Sequence, residues 1–149
     1  MPGLLNKIKH KIDPTVSSHP LAIQRDEFLA VKPEAPVEKK AHFTHEVVGA
    51  AAAFEALKAY RHHQSENGGG RPTHARGKEM VAGLSAGYVV KLIEEKGLPF
   101  TSEKDKKKFQ ANATKSAHKD ALRGLRDSGM YQAHELDPIT DDEKHGHQL

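Results

Sequence analysis

Between His42 and Gly97 two helical periods flank three consecutive glycines, and each carries small residues four positions apart. Gly49 and Ala53 fall in the first row, Gly83 and Gly87 in the second, and Ala113, Ala117 and Ala121 continue the pattern further along. Small residues in register let helix axes approach closely and gain dispersion contact along their length. A glycine inside a helix costs about 1 kcal/mol against alanine. Two in one helix, Gly83 and Gly87, therefore predict a neighbouring backbone that needs the space. The pattern predicts an all-α protein with a compact three-helix core closed through Gly/Ala interfaces. The same small-residue faces would serve a homodimer.

The first helix is predicted from about Thr44 to Asn67, with Val47, Ala50, Ala51, Phe54, Leu57 and the stem of Arg61 on its buried face. Thr44 is placed to cap it, and Glu46 suits the positive first turn. Asn67-Gly68-Gly69-Gly70-Arg71-Pro72 stops it. The second helix, from about Thr73 to Glu95, is expected to bury Met80, Val81, Leu84, Tyr88 and Leu92, with Val89, Val90 and Ile93 widening the face. That width makes it the expected central helix, closed by Gly97. The third starts near Ser102, with Asp105 completing a capping-box variant, and carries Phe109, Ala113, Ala117, Ala121, Leu122 and Leu125 to about Asp127-Ser128-Gly129.

The flanks differ from this core, which spans residues 41–128. Residues 1–40 read as a short amphipathic segment followed by an extended, mobile arm. On a helix over residues 3–12, Leu4, Leu5, Ile8 and Ile12 share one face and Lys7, Lys9, His10 and Lys11 the other. Asp13-Pro14 ends it, because proline disfavours helical geometry in the residue before it. The arm holds four of the eight prolines, with Leu21, Ile23, Phe28, Leu29 and Val31 as anchor points. Residues 129–149 read as an acidic flexible tail.

Composition narrows the function classes. With no cysteine there is no disulfide or thiolate zinc site. The first residues lack an apolar signal core, and Pro2 stands where myristoylation needs glycine, so a cytoplasmic protein is expected. No apolar run approaches the roughly 18 residues of a spanning helix. Residues 41–127 carry fifteen Lys/Arg against ten Asp/Glu, whereas residues 128–149 carry one against five. A basic body with an acidic tail gives little reason for a nucleic-acid partner. Lys104, Lys106, Lys107 and Lys108 sit where a helix dipole disfavours cations, but Phe109 is their only aromatic neighbour.

The segment His45-Glu46-Val47-Val48-Gly49-Ala50-Ala51-Ala52-Ala53-Phe54-Glu55-Ala56, with Lys58-Ala59-Tyr60 after it, resembles the CipC-like proteins (concanamycin-induced protein C), a fungal antibiotic-response family. Lys78-Glu79-Met80-Val81-Ala82-Gly83, Val90-Lys91-Leu92-Ile93-Glu94 and Lys96-Gly97-Leu98 extend the likeness, which covers about residues 42–122. The three-glycine loop and the long N-terminal arm depart from the pattern. The resemblance implies a small soluble protein of stress and antibiotic response, and brings no catalytic residues with it.

Three function classes follow. The preferred one is a non-enzymatic protein acting by self-association, a partner or a membrane surface. Leu4, Leu5, Lys7, Ile8, Lys11 and Ile12 would lie on an anionic membrane or dock on the bundle. The second binds a divalent metal or small ligand through His42, His45 and Glu46 at the head of the first helix, with His62 and His74 across the glycine loop. His63 adjoins that set, and His145 and His147 lie in the tail. The third is an enzyme with an unrecognised site. Zinc-protease chemistry would need His-Glu-x-x-His, and phosphate cradling a glycine loop followed by Lys-Ser/Thr; neither is present.

Overall fold

A computed structural model describes residues 20–67 and 72–140. Among these residues five helices follow in order: α1 Pro20–Ala30, α2 Val37–Lys40, α3 His45–Asn67, α4 His74–Lys96 and α5 Glu103–Asp127, with a 3-10 turn at Ala133–Glu135. No strand occurs among the described residues. The three long helices pack pairwise against one another, and α1 lies on α3.

The ends of the long helices are chemically specified. Thr44 Oγ1 accepts the Val47 N–H at 3.2 Å, Thr73 that of Arg76 at 3.2 Å, and Ser102 that of Asp105 at 3.1 Å. Gly97 ends α4 in the left-handed region at φ 63°. Its N–H reaches Glu94 O and that of Leu98 reaches Ile93 O, a Schellman closure.

The central helix is α3, not α4. Seven successive residues, Val47 through Ala53, are all buried, because α1, α4 and α5 each cover a different side of it. Glycine and alanine make this enclosure feasible. A Cβ on Gly49 would stand 2.6 Å from Ser116 Cβ and 2.8 Å from Ala113 O, so α5 runs directly over it. Ala53, Ala113, Ala117 and Ala121 are fully buried along the same contact. Farther along α3, Ala56 and Tyr60 are buried, whereas Arg61 is exposed.

Both flanks depart from expectation. Residues 20–30 form a helix where an extended arm was predicted. Its buried side combines Leu21, Phe28 and Arg25, whose guanidinium lies 4.1 Å over the Phe54 ring. Ile23 is exposed and does not anchor. After α5, residues 129–140 do not trail away. Tyr131 is buried, its hydroxyl 2.8 Å from that of Tyr60 and donating to Pro72 O at 2.9 Å. Residues 3–12 lie outside the described residues, as do 141–149.

Candidate association surface

The residues predicted to hold a metal fall at opposite ends of α3. Seventeen residues separate His45 from His62, roughly 26 Å of helix. At the head, His45 Nε2 lies 3.6 Å from Glu46 Oε1, and its ring meets Phe109 edge-on. His42 is exposed on an open cleft with Glu27, Lys39 and Phe43. At the far end, His62 is exposed beside Glu55, Lys58 and Tyr88. His74 is buried, and its Nδ1 accepts the Asp137 N–H at 2.7 Å. Among the described residues no three His, Cys, Asp or Glu side chains gather as a metal site would require.

Several buried polar groups tie the chain together, and sequence reasoning missed them. Lys40 Nζ donates to Pro33 O at 2.8 Å and Lys96 O at 3.2 Å. Lys96 Nζ donates to Leu29 O and Val31 O, both at 2.8 Å. Each ammonium thus meets a carbonyl at a helix C-terminus, Lys96 O for Lys40 and Leu29 O for Lys96, where the dipole favours a cation. The available signal was Lys96 in the last turn of α4, before Gly97. At the other end of the bundle, Lys78 Nζ lies 2.7 Å from Asp137 Oδ2. That hydrogen bond holds the Asp137 carboxyl below the usual carboxylate range. A Cβ on Gly77 would stand 2.8 Å from the Tyr60 hydroxyl and 2.9 Å from that of Tyr131, so glycine makes room for the paired tyrosines.

The outward face of α4 is built differently. Its buried side is Gly77, Lys78, Val81, Ser85, Val89, Leu92, Ile93 and Lys96, a stripe rotated from the predicted one. The rotation leaves Leu84 36% and Val90 44% exposed, with Met80 and Tyr88 half-buried. Gly83 and Gly87 lie on this open side. Among the described residues nothing stands within 4 Å of where their Cβ atoms would be, so no described backbone uses the space. The neighbouring backbone expected at these two glycines is not supplied by the described residues. Two glycines face outward together with Leu84 and Val90, while Met80 and Tyr88 pack partly against the core.

The lysines opening α5 divide. Lys106 is 2.5 Å from Glu94, whose carboxylate holds the ammonium above its ordinary range; Lys104, Lys107 and Lys108 are exposed. Leu4, Leu5, Lys7, Ile8, Lys11 and Ile12, predicted for a membrane or partner surface, lie outside the described residues. Among the described residues no helix is long and apolar enough to cross a membrane.

Residues 30–121 match a family model described as virulence factor CipC-like. No curated protein and no solved structure matches the chain. The matched span runs from the last residue of α1 into α5 and contains the whole outward face of α4.

Proposed function

The chain belongs to the CipC-like family, and from that premise we propose that it acts by self-association and not by catalysis, within the stress and antibiotic response that the resemblance implies. The observation that carries this reading is the outward face of α4, where exposed Leu84 and Val90 flank two glycines that no described residue approaches. Each glycine weakens an isolated helix by about 1 kcal/mol, and among the described residues no contact is gained in return. A second helix laid on that face would use the space. The buried polar groups support the same reading, because Lys40, Lys96, His74 and Tyr131 are engaged in holding chain segments together.

Native mass spectrometry of the untagged full chain over a concentration series tests the reading. A metal-free dimer mass that grows with concentration is the expected result. A monomer at every concentration would overturn it, and a stoichiometric divalent metal on that monomer would favour binding through the histidines near the ends of α3.

A further inference from the structure

The outward face of α4 carries a period that the described bundle uses only at Met80. Arg76, Met80, Gly83, Gly87, Val90 and Glu94 follow one another at steps of four, three, four, three and four residues. That is the seam spacing of a left-handed coiled coil. Five of the six are exposed and Met80 is half-buried. The row spans roughly 27 Å, long enough for several turns of contact.

The seam is also complementary to itself when reversed. Turned end for end about its midpoint at Ser85, it sets Gly83 against Gly87, Met80 against Val90 and Arg76 against Glu94. Small meets small, apolar meets apolar, and opposite charges meet at both ends. A parallel pairing in the same register would set Arg76 on Arg76 and Glu94 on Glu94, which repel.

We infer that a second copy of the chain binds along this seam, α4 against α4, as an antiparallel homodimer. The inference rests on the self-association proposed above and gives it an interface and a direction. The contact is isologous, so one patch serves both partners and closes the assembly at two. Glycines at the crossing let the axes approach more closely than the usual 8–10 Å. Leu84, one step to the side of the seam, meets its own counterpart across the twofold axis and leaves water with it. In the single chain Arg76 pairs with Glu79 at 3.1 Å and Glu94 with Lys106 at 2.5 Å. Surface pairs of this kind contribute little, so exchanging them for intermolecular ones costs little.

The absence of cysteine allows the direction to be read by cross-linking the full chain. Met80→Cys and Val90→Cys variants are prepared separately, mixed, allowed to exchange and mildly oxidised. The antiparallel seam predicts a disulfide-linked heterodimer in the mixture. It predicts little linkage of Met80→Cys alone, because the two copies of position 80 lie about 15 Å apart along the axis. Efficient linkage of either variant by itself would overturn the antiparallel direction. No linkage in the mixture, with a dimer still seen by native mass spectrometry, would overturn the seam and leave self-association standing. No dimer at all would overturn both. Charge exchange gives an independent reading. R76E and E94R should each raise the dimer dissociation constant roughly tenfold, through two like-charge contacts per dimer, and the R76E/E94R chain should restore it.

Discussion

Lys40 donates from Nζ to the main-chain oxygen of Lys96, while the Lys96 ammonium turns back to the oxygens of Leu29 and Val31. Two buried cations thereby close two helix ends in series, and α1 is fastened to the end of α4 without a carboxylate.

Lys96→Met keeps the stem and removes the charge, leaving the Leu29 and Val31 carbonyls without their donor. The expected loss is about 1–3 kcal/mol of unfolding free energy, read as a lower denaturant midpoint. Hydrogen exchange should rise selectively in residues 20–33. Unchanged exchange there would mean that α1 is held by Leu21 and Phe28 alone.

Glycines of opposite surroundings should respond with opposite sign. Gly49→Ala drives a methyl into Ser116 and the α5 backbone, an overpacking expected to cost about 1–3 kcal/mol. Gly87→Ala meets nothing within 4 Å among the described residues and should stabilise the monomer by about 0.5–1 kcal/mol. Thermal unfolding at concentrations low enough to keep the chain monomeric measures both.

The docked segment after α5 should open in acid. The Asp137 carboxyl is held below its ordinary value of 3.8 by the hydrogen bond from Lys78. A carboxyl depressed in the folded state contributes fully above the unfolded value, and its contribution disappears as pH falls through the folded value. Hydrogen-exchange protection of residues 130–140 should therefore hold steady above about pH 4 and decline below it. Asp137→Asn should give lower protection and remove the acid transition.

The tyrosine pair should act as a clasp for the same segment. Tyr131→Phe deletes the hydroxyl that meets Tyr60 and the Pro72 carbonyl. A loss of about 1 kcal/mol is expected, with faster proteolysis after residue 129 and unchanged helix content by circular dichroism.

What was legible in the sequence was what local chemistry decides. Thr44 and Ser102 as caps, Gly97 as a terminator and the alanines of α5 follow from spacing and side-chain type alone. Gly49 marked a close helix contact because its neighbours in the row are also small. The rotation of α4 was not legible, since Leu84, Val89 and Val90 offer apolar residues on several sides and packing chooses among them. Ser85 and Lys78 are buried while Leu84 is not, and a hydrophobic pattern orders these the other way. The arm hid α1 because one of its buried positions is Arg25, which a reading of apolar residues skips. The engagement of His74 depends on Asp137, 63 residues away, a distance that no local spacing records. At the candidate surface, the spacing of Gly83 and Gly87 marked a close helix contact but left open whether the neighbour is in the same chain or a second copy.

Sedimentation equilibrium of Gly83→Glu compared with the unaltered chain tests the central claim most directly. No described residue approaches the position, and glutamate is a better helix former than glycine, so the fold should be retained. The unaltered chain should dimerise, and the glutamate, buried at the crossing of two α4 helices, should abolish the dimer. Equal dissociation constants for the two chains would contradict it.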